Sequence, residues 1–341
     1  MTLDPYLGAW QRDSVNFLAY YMDRLNPVIF KLNDTFQLRW YGVSYVLGFV
    51  AGYYLLLRWA RRGVGVLKEG QVADFLTYAA LFGVLLGGRL GYMLFYDLDA
   101  FLANPLHIFN VMGGGMASHG GILGLFLFTL YWSKRHKQSW TGLGDNLVVA
   151  APLGLFFGRI ANFINGELYG RATDVPWAMK FPEEAERWRN TDPDRWKALV
   201  DIISNRITEN TQISGEVIKS LARTDDDFAN QLEPLLTPLH PSQLYEAGLE
   251  GLLLFLILFF VRERWPKAPH GIITGLFFLI YALFRIVVEN YRQPDAIAQP
   301  DFIIPGLTRG QLLSFPMIIA GIAFLIFGIV NGRRQKAEAA A

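Results

Sequence analysis

Residues 310–332 read GQLLSFPMIIAGIAFLIFGIVNG, a run of 23 residues without a charge that lies between Arg309 and Arg333. A bilayer core of about 30 Å needs about 20 mostly apolar helical residues, so this run is long enough to cross a membrane. A second uncharged run, residues 40–57, ends at Arg58. Five further segments come close to the same length and apolarity. The sequence therefore predicts an all-α polytopic membrane protein, a bundle of seven transmembrane helices at about residues 40–59, 73–96, 117–133, 143–164, 242–261, 271–290 and 310–331.

The composition agrees with a membrane protein and excludes several other classes. Of 341 residues, 52% are hydrophobic and only 18% are charged, whereas a soluble domain carries about 25% charged residues. A net charge of +1 offers no basic field for nucleic acid. The absence of cysteine excludes disulfides, thiolate metal sites and a cysteine nucleophile. Glycine pairs four residues apart predict close helix packing and recur at Gly48/Gly52, Gly83/Gly87, Gly120/Gly124, Gly154/Gly158 and Gly271/Gly275.

The distribution of Lys and Arg predicts the orientation, because these residues concentrate on the cytoplasmic side of a membrane. Basic clusters follow the first, third, fifth and seventh predicted spans, whereas residues 97–118 contain no Lys or Arg. We therefore expect the N-terminus outside and the C-terminus in the cytoplasm. The expected organisation is an N-terminal extracytoplasmic segment at 1–39, four spans within 40–164, an extracytoplasmic helical arm at 165–241, three spans within 242–332 and a cytoplasmic tail at 333–341.

The arm contains a polar stretch, residues 183–237, with one clear helical pattern. Thr191-Asp192-Pro193 is a plausible helix start, since a capping residue precedes a proline. The apolar residues that follow at helical spacing are Trp196, Leu199, Val200, Ile203 and Ile207. This helix either packs within the arm or lies on the outer leaflet of the membrane. The sequence favours packing within the arm.

Ionisable residues recur near the outer end of several predicted spans. At about 1.5 Å per residue, Arg89, Arg159 and Arg285 each lie about 21 to 22 Å from the cytoplasmic start of their span. His119 and Glu246 begin two other spans from the outside. Charged groups within a membrane usually face the protein interior and mark function, although single arginines also reach the interface without a function and Arg–Glu pairs also hold helices together. Guanidinium groups bind phosphate through paired hydrogen bonds, and no metal-ligand motif is present. The pattern indicates metal-free chemistry, or simple binding, on an anionic lipid.

The most informative motif is residues 158–171, GRIANFINGELYGR. It resembles the motif G-R-x-x-N-F-x-N-x-E-x-x-G of bacterial prolipoprotein diacylglyceryl transferases at every fixed position. The resemblance covers about residues 26–182 and 238–331, while the N-terminal extension and the insertion at 183–237 depart from it. The other segments that are similar to this family, in the expected order, are Arg39–Gly42, Gly114–Gly121, His240–Glu246, Tyr281–Arg285 and Arg292–Asp295.

The resemblance implies an enzyme that moves the diacylglyceryl group of phosphatidylglycerol to the lipobox cysteine thiol in a prolipoprotein signal peptide. Glycerol phosphate leaves, and the reaction is the first step of bacterial lipoprotein maturation. The resemblance further implies a multi-pass protein of the bacterial inner membrane, with its active site on the periplasmic side and without a cofactor or metal. The implied partners are the two substrates and the lipid bilayer, with no nucleic acid.

Roles for individual residues follow from the motifs. Arg159 and Arg285, by depth and by family match, are expected to hold the lipid phosphate, and His119 to take the proton of the thiol. A histidine at this position also suits a structural contact to a backbone carbonyl. Glu167 completes the catalytic candidates, and with Asn162 it is also suited to orient Arg159. The remaining candidates for binding phosphatidylglycerol are Asn162, Asn165, Gly170, Tyr41, Tyr281, Glu246 and Arg292.

Two alternative classes of function fit the sequence less well than a transferase. Gly142-Leu143-Gly144-Asp145 and Tyr96-Asp97 match the short motifs of intramembrane aspartyl proteases, whose two aspartates share a proton at close range. The predicted topology places these aspartates about a membrane thickness apart. A lipid carrier or transporter would show internal repeats and broken helices near the midplane, and no repeat is evident.

Overall fold

The computed structural model describes residues 21–33, 37–109, 115–208, 210–293, 302–304 and 307–340. Parts of three predictions therefore fall outside the described residues: most of the N-terminal segment, Gly114, and Pro294–Asp295. The described chain is mainly helical. Its helices are α1 (Trp40–Arg61), α2 (Glu69–Tyr96), α3 (Leu98–Ala103), α4 (Ser118–His136), α5 (Trp140–Asn165), α6 (Trp188–Thr191), α7 (Pro193–Ile203), α8 (Gly215–Thr224), α9 (Asp226–Leu232), α10 (Ser242–Arg264), α11 (Ile272–Glu289) and α12 (Arg309–Ala340).

Six helices in the described part of the chain are long and apolar enough to cross a membrane: α1, α2, α5, α10, α11 and α12. They confirm the prediction of a helical multi-pass membrane protein. The third predicted span corresponds to α4, which is not among the six. It has 19 residues, and polar residues occupy both ends, from Ser118-His119 to Lys134-Arg135-His136. Length and composition thus identify six spans among the described residues, and a seventh span at α4 stays a prediction.

The chain divides into two compact units. The membrane unit consists of the described residues within Gly42–Gly158, Glu246–Val287 and Phe302–Ala341. Its main core includes the fully buried Leu56, Trp59, Phe75 and Leu258, so apolar residues that the sequence placed within spans pack against one another.

Glycines allow the helices of the membrane unit to pack backbone against backbone. Helices α2 and α4 meet at Gly87 and Gly124, where a Cβ on Gly124 would lie 2.8 Å from the Cα of Gly87. At the crossing of α1 and α5, a Cβ on Gly48 would lie 3.1 Å from the Cα of Gly154. These contacts confirm the close packing that the glycine spacing predicts for the first four spans.

Asp145 on α5 provides the N-terminal cap of α11. Its carboxylate accepts hydrogen bonds from the backbone N–H of Gly271 at 2.8 Å and from the N–H and hydroxyl of Thr274 at 2.8 and 2.7 Å. The first backbone N–H groups of a helix lack partners within the helix, so a buried carboxylate there is stabilising. A structural role accounts for this aspartate, and the short protease-like motif around it gains no support.

The arm unit consists of the described residues within Met1–Tyr41, Arg159–Tyr245 and Val288–Asp301. Helix α7 begins where the sequence predicts, with Asp192 as its N-cap accepting from the backbone N–H of Arg195. Leu199 and Ile203 on this helix are fully buried against α8 and α9. The arm therefore packs on itself, as favoured, and Ile207 lies beyond the end of the helix while still packing against this core.

Short strands complete the fold, and the sequence did not predict them. In the arm unit, β1 (Tyr21–Met22) pairs in parallel with β4 (Met179–Lys180), and β2 (Val28–Lys31) pairs antiparallel with β3 (Gln37–Arg39). In the membrane unit, β5 (Phe302–Ile304) pairs antiparallel with β6 (Leu307–Thr308). With two to four residues each, these strands are too short to leave an alternating pattern.

Candidate functional site

The motif loop, residues 166–171, follows directly on the last turn of α5. Gly166 and Leu168 adopt left-handed backbone conformations, with φ of +73° and +57°. Glycine tolerates this region and leucine seldom adopts it, so the loop stores strain that the surrounding contacts must offset. The reversal of direction brings Glu167 back toward α5, where its backbone N–H donates to the carbonyl of Asn162 at 3.1 Å.

Asn162 connects the predicted residues of this motif. Its Nδ2 donates to Oε1 of Glu167 at 3.0 Å and to the hydroxyl of Tyr41. Its Oδ1 accepts from Nη1 of Arg159 at 3.4 Å. Asn165 donates to the same oxygen of Glu167 at 3.4 Å. The structure thus unites five predicted site residues in one hydrogen-bonded group, which we call the Asn162 cluster: Tyr41, Arg159, Asn162, Asn165 and Glu167.

Two buried residues at the start of α10 fix the motif loop, and the sequence analysis assigned them no role. Nε2 of Gln243 donates to the carbonyl of Glu167 at 2.7 Å, and Oγ of Ser242 donates to the carbonyl of Leu168 at 3.0 Å. Both side chains are fully buried. The sequence did hold a signal for their role, because both belong to the family motif before the fifth predicted span. Polar residues at the start of an apolar helix need hydrogen-bond partners.

Gly170 and Arg292 meet through their backbones. They form an isolated antiparallel bridge, and Nε of Arg171 donates to the carbonyl of Arg292 at 2.7 Å. A Cβ on Gly170 would lie 2.8 Å from the carbonyl oxygen of His240, so only glycine fits here. Nε of Arg292 lies 3.7 Å from the carboxylate of Glu289. Gly170 therefore allows two segments of the arm unit to approach closely.

Arg285 on α11 pairs with two carboxylates in the membrane unit. Its Nη1 lies 3.4 Å from Oε1 of Glu246 and 3.7 Å from Oε1 of Glu250. Both glutamates are fully buried, and their spacing of four residues places them on one face of α10. Residues 247–253 of that helix form a π-helical segment, a local feature that often accompanies functional sites. The contact to Arg285 suits Glu246 to orienting this arginine.

His119 and Arg89 differ in their surroundings. His119 is exposed near the start of α4 and lines a mainly apolar groove of about 970 Å³ between α2 and α4. Arg89 is buried and donates to the backbone carbonyls of His107, Ile108 and Gly115 at 3.0, 3.3 and 2.9 Å. Arg89 therefore fixes the segment between α2 and α4, a structural role that its depth alone did not indicate.

The two units contain different parts of the predicted site. The arm unit contains the Asn162 cluster together with Gly170 and Arg292, and the membrane unit contains His119, Glu246, Tyr281 and Arg285. The joint binding of one phosphate by Arg159 and Arg285 remains a prediction. Among the residues that the structure describes, no group of three or more His, Asp or Glu side chains is arranged to hold a metal ion.

The chemistry of the Asn162 cluster suits recognition of a polar, anionic group. A guanidinium, two amides, a phenol and a carboxylate are connected by hydrogen bonds through Asn162 and Glu167 at the end of a membrane helix. Guanidinium groups bind phosphate oxygens, while amides and carboxylates bind hydroxyl groups. The cluster thus offers donors and acceptors for a phosphate that carries a small alcohol.

Comparison with known proteins agrees with this chemistry. The family model of prolipoprotein diacylglyceryl transferase matches residues 27–327. Relatives named phosphatidylglycerol–prolipoprotein diacylglyceryl transferase include one from Yersinia enterocolitica, 41% identical and covering 94% of this chain and 99% of the relative. Those from Photorhabdus laumondii and Bdellovibrio bacteriovorus are 41% and 39% identical, cover 92% and 88% of this chain, and are themselves covered over 95% and 92% of their length.

The family model extends over most of the chain, and these relatives share well over 30% identity along nearly their whole length. The motifs of the Asn162 cluster and of Arg285 all lie within the matched residues. The chain belongs to the prolipoprotein diacylglyceryl transferase family.

Proposed function

We propose that this chain is a transferase that moves the diacylglyceryl group of phosphatidylglycerol to a prolipoprotein. The observation that carries the proposal is the Asn162 cluster, in which Arg159, Asn162 and Glu167 are joined by hydrogen bonds at the end of α5. Membership of the family and the names of the relatives support both substrates. A lipid carrier would need no such fixed set of donors and acceptors.

The acceptor atom is the thiol sulfur of the lipobox cysteine in the prolipoprotein, and this chain has no cysteine of its own that could compete with it. The sulfur attacks the glyceryl carbon that bears the phosphate. A C–S bond forms, the C–O bond breaks, and glycerol phosphate leaves with the electron pair of that bond. The thiol loses its proton, since the thiolate is the reactive form. Negative charge grows on the leaving phosphate, and preorganised guanidinium groups stabilise it.

Each candidate residue has a role in this proposal. Arg159 and Arg285 bind the phosphate, and His119 takes the proton of the thiol. Asn162 and Glu167 orient Arg159, while Asn165 and Tyr41 bind the hydroxyl groups of the glycerol headgroup. Glu246 orients Arg285. The remaining residues border the lipid site: Gly170, Tyr281 and Arg292.

We further propose where the protein lies in the cell and how it is oriented. The protein resides in the bacterial inner membrane with seven spans, α4 being the third, and with the active site open to the outer leaflet. The distribution of Lys and Arg supports an outside N-terminus and a cytoplasmic C-terminus. The ends of α4 are polar, but its close glycine contacts to the span α2 support a place within the bundle.

The test is a transfer assay with purified protein in vesicles that contain phosphatidylglycerol. A peptide with a lipobox cysteine is added, and its mass is measured. We expect the mass to rise by one diacylglyceryl group and glycerol phosphate to appear in equal amount. A matched peptide with serine in place of the cysteine should remain unmodified. A peptide that stays unmodified with cysteine present would contradict the proposal, and phosphatidylglycerol that merely moves between vesicles would favour a carrier.

A further inference from the structure

A buried charge cluster lies in the arm unit, outside the residues of the proposed site. Lys219 on α8 has a side chain that is 3% exposed. Its ammonium group lies 2.6 Å from Oδ2 of Asp23, whose side chain is fully buried, and 2.8 Å from Oε1 of Glu183. Buried charges are costly unless they are paired and hydrogen-bonded, so three such groups in contact demand an explanation.

The third contact of Lys219 reaches α5. Its Nζ donates to the backbone carbonyl of Ile164 at 2.8 Å. Ile164 is the penultimate residue of α5, and the last four carbonyls of a helix lack partners within it. A cation at this end also stabilises the helix dipole. Lys219 therefore caps the C-terminus of the helix that carries Arg159 and Asn162.

Glu183 contacts the residue that follows the helix. Gly166 has φ of +73°, and a Cβ at this position would overlap the carboxylate of Glu183. The carboxylate thus packs directly against the backbone at the first residue of the motif loop. Lys219 and Glu183 between them contact Ile164 and Gly166, the residues on either side of Asn165.

The cluster draws its members from distant parts of the chain. Asp23 lies 196 residues before Lys219 and follows β1, whose pairing with β4 holds this segment in place. Glu183 and Lys219 both lie within the stretch 183–237, outside the quoted family motifs, and Asp23 lies before the first residue that the family model matches. The motif loop of this chain is therefore supported by residues outside the family motifs.

We propose that Lys219 is a positioning residue: held by Asp23 and Glu183, it fixes the end of α5 and thereby the geometry of the Asn162 cluster. The inference rests on the proposed function. Lys219 does not touch the reacting atoms, and its effect passes through the carbonyl of Ile164. The displacement of a reacting group by about 1 Å lowers a rate by as much as about 100-fold, so the contact matters to catalysis well beyond its share of stability.

The decisive variant is Lys219→Met combined with Asp23→Asn. Removing the cation and one carboxylate together leaves Glu183 as the one ionisable group of the cluster. Transfer is therefore compared at pH 6, where burial, which raises the pKa of Glu183 to about 7 even beside Lys219, keeps this carboxyl protonated in the variant, so the lost contact to Ile164 is separated from an uncompensated buried charge. We expect the thermal midpoint to stay within a few degrees of the wild type, while kcat/KM for transfer falls about 10- to 100-fold. Lys219→Arg, which keeps the charge and the donors, should recover most of the rate.

Lys197→Met is the matched control, because Lys197 lies exposed on α7 in the same unit and the same substitution there should leave the rate unchanged. Wild-type kcat/KM in the double variant would overturn the proposal.

Hydrogen exchange provides a second readout that does not depend on activity or on the double variant. In Lys219→Gln, the backbone N–H groups of Gly166 and Glu167 should exchange at least about tenfold faster than in the wild type, since their hydrogen bonds to α5 loosen. Unchanged exchange would overturn the role of Lys219. If the wild type itself shows no transfer, the proposed function fails, and the exchange result still decides whether Lys219 holds the loop.

Discussion

Arg159 lies one turn before Asn162 on α5, and Nη1 of the arginine contacts Oδ1 of the asparagine at 3.4 Å. Only a planar guanidinium both keeps this contact and offers a forked pair of donors to a phosphate. We expect Arg159→Lys to lower kcat/KM about 100-fold or more, because lysine retains the charge and loses the paired hydrogen bonds. The transfer assay with purified variants measures this.

Arg264→Lys is the control for that prediction, since Arg264 lies exposed at the end of α10. It should transfer at the wild-type rate. A fully active Arg159→Lys protein would show that charge alone suffices at this position and would remove the paired hydrogen bonds from the proposal.

Glu183 predicts a pH dependence of stability. Burial raises the pKa of its carboxyl from 4.5 to about 7, against the attraction of Lys219. The carboxyl of Asp23, the residue after β1, also acts to raise this pKa, and Glu186 lies beside Glu183 at Gly215. Because the pKa is higher in the folded state than in the unfolded state, the protonated form favours folding. This contribution is complete below pH 4.5 and is lost as the pH rises through 7.

The expected difference is about 3 kcal/mol, from the gap between 4.5 and about 7. Glu183→Gln mimics the protonated carboxyl, so it should unfold like the wild type at pH 5 and be more stable by about 5 °C at pH 8. Thermal unfolding in detergent at both pH values measures this. An equal difference in thermal midpoint between Glu183→Gln and the wild type at pH 5 and at pH 8 would show that ionisation of Glu183 does not cause the difference.

The sequence predicted the members of the Asn162 cluster because their motif is local and matches the family. It did not predict Lys219, whose partner Asp23 is 196 residues away and whose neighbours fall outside any motif. Nor did it predict that Arg89 is bound to three carbonyls, since depth along a helix says nothing of what the side chain meets.

At the scale of elements, glycine determines how closely α2 and α4 pack. A Cβ on Gly124 would lie 2.8 Å from the Cα of Gly87, so the helices would have to separate. We expect Gly124→Ala to destabilise the protein by about 2 kcal/mol, as overpacking of a tight contact does. The thermal midpoint in detergent should fall accordingly.

Gly248→Ala on α10 is the matched substitution, because a Cβ at Gly248 meets nothing within 4 Å. There alanine should be neutral or stabilising by about 0.5–1 kcal/mol, since glycine is unfavourable within helices. Equal losses from both substitutions would indicate that helix propensity, not the contact between α2 and α4, accounts for the effect.

The cap of α11 by Asp145 also has a testable consequence. Asp145→Ala leaves the N–H groups of Gly271 and Thr274 and the hydroxyl of Thr274 without their acceptor. Loss of a helix cap costs about 1–2 kcal/mol. The variant should therefore unfold earlier while its kcat for transfer, measured below the unfolding transition, stays within about twofold of the wild type. A large loss of kcat with unchanged stability would assign Asp145 to the chemistry instead.

Apolar length predicted the membrane helices well, because hydrocarbon leaves few alternatives to a helix. Residues 117–133 come close to the length and apolarity of a span, yet the two ends of α4 are polar. The pairs β1–β4 and β2–β3 escaped prediction because backbone hydrogen bonds between distant short segments leave no periodic pattern.

At the scale of the whole molecule, the chain offers a direct test of orientation, since it contains no cysteine. A single introduced thiol is then the only target of a maleimide that cannot cross membranes. Lys197→Cys should be labelled once the outer membrane is made permeable, and Arg264→Cys only after the inner membrane is opened. Both sites are exposed. The reverse pattern would invert the proposed topology and place the active site on the cytoplasmic side.

The sequence suggested this orientation through the placement of Lys and Arg alone. A set of helix bounds, however complete, does not fix which face of a membrane each end meets. The helix bounds do not decide the number of spans either. The number is odd if α4 crosses the membrane and even if α4 lies at the surface.

The contact of Asp23 with Lys219 bears on the design of N-terminally truncated versions of this protein. The family model begins at residue 27, so a shortened gene starting there would retain all the recognised motifs. It would delete β1 and the aspartate, leaving the ammonium group of Lys219 with half of its counter-charge and β4 without its neighbour. A truncation that spares every residue matched by the family model would thus weaken the end of α5, which carries the Asn162 cluster.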